Sequence, residues 1–394
     1  AERPLRPGER VQLANRLYSV RSVSADGATV TLDKPLGLEE GGPTPPALAK
    51  GGSGLVWVLL ECRTAGPNPD MQMLLTNLKA HEPALKLLQL PFEPRWEKAE
   101  ELQLRAVLRA AYRLLKAMCN AFPLMQEALV ENIKLFVTHT EASLVSHDIS
   151  PTGCINAIYL DNRSVCTQVD EETVRQFVRM AAAQHAPRFL RFLRMISVSD
   201  GLAIARNQCM VLQALSEREA AMVLFRTPAE QKERQAMIDA EDHIHKPRGK
   251  LVYHIELVGL LGACALGKNA AAEMLVREML PLDDLVRQIM MAATLPQQLV
   301  SNYLYVLREA YLETERANKE VSSHPALMGF LGALREAVED FIEVLMEPGA
   351  NLLEEEVHLA TASYICYEIL PTIEVFYAKH YVPSGPKVIP LSPR

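Results

Sequence analysis

The feature of this sequence that most constrains its fold is a helical spacing of apolar residues that continues from about residue 70 to residue 380. In residues 101–118, apolar side chains recur at steps of three and four, and basic side chains occupy the opposite face. Similar stripes run through residues 300–311 and 327–345. Each stripe predicts an amphipathic helix, and the prolines between the stripes favour helix starts or breaks.

A long series of such helices packs either as one irregular bundle or as a stacked α-solenoid of the armadillo/HEAT type. Leu and Ala dominate the chain and aromatic residues make up only 6% of it, which favours solenoid packing. No clean self-similarity is visible at the repeat length of about 40–47 residues typical of such proteins. We therefore predict a mainly α fold, an α-solenoid of armadillo/HEAT type with a small N-terminal β element.

The β element is predicted from residues 1–50, whose pattern differs from the rest of the chain. Residues 17–20 and 28–32 have strand-like apolar runs, and Asp26-Gly27 lies between them. Asp-Gly between two such runs is a strong indication of a β-hairpin. We predict a small β hairpin or SH3-like element here, followed by a linker rich in Pro and Gly to about residue 69.

Two further boundaries are predicted within and after the helical array of residues 70–380. Residues 143–170 contain Pro151, Gly153 and Asn162, which interrupt the helical pattern and predict a loop or insertion. Residues 381–394 are rich in Pro and Ser and predict a linker tail.

Composition excludes several classes of protein. Asp and Glu number 48 against 41 Lys and Arg, for a net charge of −7, so no nucleic-acid partner is expected. The seven cysteines are scattered without Cys-x-x-Cys spacing, which predicts reduced thiols in a cytoplasmic compartment. No apolar run approaches the roughly 20 residues of a membrane span. Since the chain begins Ala1-Glu2 with no signal-peptide pattern, we expect a piece of a larger polypeptide.

The motif nearest to a phosphate-binding loop is Gly262-x-x-x-x-Gly267-Lys268-Asn269. A P-loop requires a preceding strand and a final Ser or Thr whose hydroxyl binds Mg²⁺. Asn269 replaces that hydroxyl, and the preceding residues 253–266 predict an amphipathic helix. We interpret the motif as a helix that ends at Gly267 in a left-handed cap.

Two short groups of residues are candidate metal sites. Asp242-His243-x-His245 and His254-x-Glu256 contain metal-ligand residue types, but zinc requires several ligands that converge in space. We interpret the first as a solvated loop and His254 as a partly buried helical residue.

A stripe of arginines interleaved with Phe and Leu is the remaining candidate contact for an anion or a partner. Because the arginines are spaced three residues apart, they lie on one side of a helix, along a line that turns gradually around it. There they could bind a phosphate or an acidic helix. The alternative is an ordinary solvated or inter-helix face. The stripe comprises Arg188, Arg191 and Arg194.

Catalysis has no support in this sequence. It contains no nucleophile elbow, no His-Glu-x-x-His and no Gly-rich dinucleotide loop. We therefore predict no enzyme activity, no catalytic residues, no metal and no cofactor.

Several of these stretches resemble the family of inositol trisphosphate receptors and ryanodine receptors, in the helical armadillo-type (RIH) region downstream of the ligand-binding core. The resemblance covers roughly residues 70–320 in ordered blocks, the clearest of which run from Tyr253 to Asn269 and from Leu280 to Arg287. The family's trisphosphate pocket and pore lie elsewhere, so no ligand or pore residue is carried over. The family-like structural motif consists of Gly267, Lys268, Asn269, Pro281, Leu282, Asp283 and Asp284.

The resemblance implies a regulatory helical segment of an inositol trisphosphate receptor-like intracellular calcium release channel, which couples ligand binding elsewhere to gating. Its partners would be other domains or subunits of the parent channel, a tetramer, together with proteins bound on the solenoid face. It would lie on the cytosolic side of an endoplasmic reticulum-type membrane. The alternative is a free-standing α-solenoid interaction scaffold without channel activity. A third hypothesis is nucleotide or phosphoinositide binding at the near-P-loop or the arginine stripe.

Overall fold

The computed structural model describes residues 10–13, 16–23, 30–32, 68–90, 99–141, 149–315, 321, 324–346 and 361–380. The chain divides into two compact units, Ala1–Ile158 and Tyr159–Arg394. The linker before residue 68 and the tail after residue 380, both predicted above, lie outside the described residues.

The first unit contains the predicted β element. Strands β1 (Arg10–Leu13), β2 (Arg16–Val23) and β3 (Val30–Leu32) form an antiparallel sheet in the order β1-β2-β3. The pairing of β2 with β3 shifts register between Val20 and Ser22. The apolar runs at residues 17–20 and 28–32 overlap β2 and β3, whereas Asp26-Gly27, the predicted turn, lies outside the described residues.

The helices of the first unit pack around the long third helix. Gln72 shows how they join, because its side-chain amide donates to the carbonyl oxygens of Ala117 and Asn120, each at 2.9 Å. One turn or more earlier in the same helix, the Tyr112 hydroxyl lies 2.6 Å from Nδ1 of His139. The helices are α1 (Pro69–Asn77), α2 (His81–Leu88), α3 (Ala99–Cys119), α4 (Pro123–Val130), α5 (Ile133–Glu141) and α6 (Pro151–Tyr159), which ends at the unit boundary.

The second unit is also helical, with one two-stranded hairpin of β4 (Val198–Ser199) and β5 (Leu202–Ala203). Helix α16 continues directly into a π-helix, and a second π-helix leads into α18. The helices are α7 (Arg163–Cys166), α8 (Glu171–Gln184), α9 (Pro187–Ser197), α10 (Ala205–Ser216), α11 (Pro228–Asp239), α12 (Asp242–His245), α13 (Lys250–Ala265), α14 (Ala270–Met279), α15 (Leu282–Met290), α16 (Gln297–Val306), π1 (Leu307–Leu312), α17 (Pro325–Met346), π2 (Ile365–Ile369) and α18 (Leu370–Lys379).

Two rows of helices build the core of this unit. The first, which we call the central row, runs from α9 to α13 to α16, and the second from α8 to α10 to α14 to π1 to α18. Helices of one row also pack on those of the other, as α10 does on α13. Within each row the helices stack side by side in chain order, which is the packing typical of an α-solenoid. The predicted mainly α fold of this type is confirmed.

The loop predicted at residues 143–170 is wrong where the structure describes it, because α6 and α7 occupy much of this range. Pro151 is the first residue of α6, a position that needs no backbone N–H donor. The Ser150 hydroxyl accepts from the Gly153 amide at 3.3 Å, and Asn162 Oδ1 accepts from the Val165 amide at 3.2 Å. These residues begin helices and do not interrupt them. Residues 142–148 lie outside the described part.

Helix α13 was predicted correctly as a helix but wrongly as amphipathic. From Tyr253 to Ala265 every residue is buried. A helix that is apolar on all faces lies in the interior of a protein. No helix among the described residues is both long and apolar enough to cross a membrane.

Candidate functional site in the central row

The helices of the central row lie parallel to each other, as the pairing of their side chains shows. Between α9 and α13, Arg191 Nε lies 2.7 Å from Glu256 Oε1, and further along Ser197 Oγ lies 3.6 Å from Cys264 Sγ. Between α13 and α16, the Asn302 amide donates to the Ile255 carbonyl at 2.7 Å. The row is therefore held by polar contacts across both of its interfaces, in addition to apolar packing.

Two glycines of α13 let the neighbouring helices approach closely. A Cβ at Gly262 would lie 2.5 Å from Cδ1 of Tyr305 on α16. A Cβ at Gly259 would lie 3.0 Å from Asn302 Nδ2 and 3.1 Å from Arg194 Nη1. A side chain at Gly262 would require either the Tyr305 ring or α13 to move. Sequence analysis missed this role, although two glycines three residues apart in an apolar helix could have indicated it.

A chain of hydrogen bonds runs through the buried side of the row. Nδ1 of His254 donates to the Val223 carbonyl at 2.9 Å, since a carbonyl can only accept, so its Nε2 accepts from the Tyr303 hydroxyl at 3.0 Å. The Tyr303 oxygen in turn accepts from Arg234 Nη1 at 3.3 Å, and Arg234 Nη2 donates to Gln288 Oε1 at 2.6 Å.

Two side chains in this chain of hydrogen bonds, His254 on α13 and Tyr303 on α16, have shifted pKa values. Burial lowers the pKa of His254 to about 4; the bond to the Val223 carbonyl opposes this shift, and the charge of Arg234 adds to it. Burial raises the pKa of Tyr303 to about 12. His254 is therefore neutral at physiological pH and fully buried, not partly buried as predicted.

The arginine stripe lies along α9, where it faces α13. Arg191 pairs with Glu256, and Nη1 of Arg194 lies next to Gly259. Arg188 donates to the Gln184 side chain at 2.8 Å and stacks over the Phe189 ring. Burial, together with the charge of Arg248, lowers the pKa of Arg188. The anion contact remains a prediction, because the partners in the structure belong to this chain.

The turn Gly267-Lys268-Asn269 joins the two rows of helices. Helix α13 ends at Ala265, two residues earlier than predicted, and Gly267 and Lys268 both adopt left-handed conformations with φ of 89° and 60°. Asn269 begins α14, and its side-chain amide donates to the Ala205 carbonyl at 3.2 Å on α10. These left-handed residues end α13 and turn the chain into α14, in line with the left-handed helix end predicted from the sequence.

Two side chains reinforce that joint. The Gln208 amide on α10 donates to the carbonyls of Ala263 and Leu266, at 3.0 and 2.9 Å, which would otherwise lack partners at the end of α13. Lys268 Nζ lies 3.1 Å from Glu313 Oε1, which also pairs with Lys379 of α18 at 2.8 Å.

The second part of the family-like motif begins α15. Pro281 precedes the helix and Leu282 is buried. Asp283 Oδ1 lies 2.8 Å from Nε2 of His324, just before α17, and Asp284 pairs with Arg287 at 2.9 Å. Both halves of the motif therefore lie at joints between successive helices.

Neither pattern weighed as a metal site forms one. Asp242 and His245 lie on the short helix α12, and their nearest charged partners are Lys246 at 2.9 Å and Glu241 at 3.4 Å. Across the described ranges, no three His, Cys, Asp or Glu side chains converge to hold a metal ion.

A family model described as the RIH domain matches residues 58–228. This stretch is therefore similar to the RIH domain that is named for ryanodine and inositol trisphosphate receptors. Within this stretch lie helices α1 to α10, so the central row begins inside it at α9 and continues beyond its end.

The similarity extends past the RIH domain. The inositol 1,4,5-trisphosphate receptor itr-1 of Caenorhabditis elegans is 24% identical over 328 residues, which are 81% of this chain. The aligned part is only 11% of that receptor. The predicted resemblance to the family is thus confirmed, and this chain corresponds to a small part of its relative's length.

Proposed function

We propose that this chain is a regulatory helical segment of an inositol trisphosphate receptor-like calcium release channel, which transmits ligand binding elsewhere in the protein to the gate. The observation that carries the proposal is the match to the RIH domain at residues 58–228, continuous with a stacked row of helices that extends past it. In this proposal the chain lies on the cytosolic side of an endoplasmic reticulum-type membrane, beside other domains and subunits of a tetramer.

The central row is suited to transmit a displacement. Contact at the α13–α16 interface is close because of the two glycines, and side-chain hydrogen bonds fix the register of each pair. Closely packed protein interiors switch between discrete arrangements and do not deform continuously. A rotation imposed at α9 would therefore be passed to α13 and α16.

Expression of the complete coding sequence that contains this chain, in cells that lack inositol trisphosphate receptors, tests the proposal. The cells are permeabilised, inositol 1,4,5-trisphosphate is added, and luminal calcium is recorded. We expect calcium release that requires the ligand. A truncated coding sequence that stops at Arg394 is the control, and we expect no release from it.

Two results would contradict the proposal. A full-length protein that reaches the reticulum membrane and releases no calcium would refute the channel function. Recovery of the full-length protein in the soluble fraction, bound to other proteins, would support the interaction scaffold in its place.

A further inference from the structure

Helix α11 is attached to the rest of its unit by one fully buried side chain. Of its 12 residues only Arg234 is buried, whereas Met237 and Ile238 are half-buried. A helix this short and this polar gains little from packing and is marginal in isolation. Its attachment therefore depends on what holds Arg234.

The segment that contains α11 and α12 begins with a capping box and has a left-handed turn between its two helices. At the N-terminal end, Thr227 and Glu230 form a reciprocal capping box. At the other end of α11, Glu241 adopts a left-handed conformation with φ of 52°. The capping box satisfies backbone groups within the segment itself, so the helix can stay formed when its tertiary contacts are lost.

The Arg234 guanidinium lies in a cluster of polar groups that we call the socket, formed by Gln288, Tyr303 and His254. Arg234 is 2% exposed, and in the described part of the chain its bonded partners are the neutral Gln288 and Tyr303. Its Nε has no hydrogen-bond partner there. Two neutral acceptors offset only part of the desolvation of a guanidinium, so the closed arrangement is weakly favoured.

The other polar attachments of α11 are weak, and one of them is an exposed bond of 3.3 Å from Gln231 Nε2 to the Arg226 carbonyl. Glu233 pairs with Lys250 Nζ at 2.7 Å, but the two side chains are 45% and 39% exposed. Ion pairs this exposed contribute little stability. Release of Arg234 would thus leave no strong polar contact between α11 and α13 among the described residues.

We propose that residues 228–245 form a strap that opens as a unit from the socket, with Arg234 as the residue that holds it closed. Opening would return the charge to water and leave Gln288 and Tyr303 free to bond to water. Helix α13 is buried from Tyr253 to Ala265, so release of the strap alone should leave the amides of that stretch protected. The strap and the central row therefore have separate stabilities.

Hydrogen exchange of the full chain at neutral pH, followed by mass spectrometry, tests this separation. In the wild-type protein we expect the amides of residues 229–245 to exchange at least about tenfold faster than those of α13 and α16. Equal protection of the strap and α13 in the wild-type chain would overturn the proposal, whatever any variant does.

Substitution of Arg234 tests its role. For Arg234→Ala we expect strap exchange about 10- to 100-fold faster, as for the loss of hydrogen bonds to a charged group, with α13 and α16 changed less than about twofold. The matched control is Lys232→Ala on the exposed face of α11, which should leave exchange unchanged. Equal acceleration of strap and central row by Arg234→Ala would refute the holding role, as would an equal effect of both variants.

Discussion

Replacement of Gly262 by alanine tests the close packing of α13 on α16. The added Cβ would lie 2.5 Å from Cδ1 and 3.0 Å from Cγ of Tyr305, against about 3.5–4.0 Å for a favourable carbon contact. The ring or the helix must move by about 1 Å. Overpacking of this kind costs about 1–3 kcal/mol, and the better helix propensity of alanine returns at most about 1 kcal/mol. We expect a net loss of about 1–2 kcal/mol in the free energy of unfolding.

The same chemical change at an open position provides the control. A Cβ at Gly332 in α17 would meet no atom within 4 Å, so Gly332→Ala should stabilise the protein by about 0.5–1 kcal/mol. Urea unfolding followed by circular dichroism compares the two variants. In a Tyr305→Ala background the cost of Gly262→Ala should disappear. If Gly262→Ala stabilises the wild-type chain as Gly332→Ala does, the argument for close packing is wrong.

Three further predictions concern the polar contacts of the second unit. His254 binds a proton more readily when unfolded, so stability should fall by up to about 3 kcal/mol from pH 7 toward pH 4, and His254→Gln should flatten that slope in pH-dependent urea titrations. Asn302→Ala removes the bond to the Ile255 carbonyl and should cost about 1–3 kcal/mol in the same assay; no loss would show that the bond adds nothing. Glu313→Gln breaks the exposed pairs with Lys268 and Lys379 and should cost less than about 1 kcal/mol, and a larger loss would contradict the surface-pair reasoning.

Sequence periodicity was sufficient to predict the helical body of this protein. The stripe at residues 101–118 coincides with α3 (Ala99–Cys119), and that at 327–345 coincides with α17 (Pro325–Met346). These helices have distinct apolar and polar faces, so the pattern reports their orientation directly. The stripe at residues 300–311 begins as α16 and continues as a π-helix, a change of pitch that a three- and four-residue pattern does not resolve.

The sequence-based prediction failed at residues that disfavour the interior of a helix but favour its first positions. Pro151 and Asn162 indicated a loop, but each stands where a helix begins and its local chemistry is favourable.

The joints and the strap depend on contacts between residues far apart in the chain. Arg234 meets Tyr303 at a separation of 69 residues, and Asn269 meets Ala205 at 64. No local pattern specifies such pairs. The buried arginine was missed for that reason, because in its own polar helix it resembles any solvated side chain.

The central claim, that the α9–α13–α16 row transmits a conformational change, is tested most directly by the Gly262→Ala and Gly332→Ala variants in the full-length protein. Ligand binding and calcium release are measured in the same permeabilised cells for each variant. We predict that Gly262→Ala preserves ligand binding and lowers the release obtained per bound ligand, whereas Gly332→Ala changes neither. Normal release from a folded, ligand-bound Gly262→Ala protein would contradict the claim.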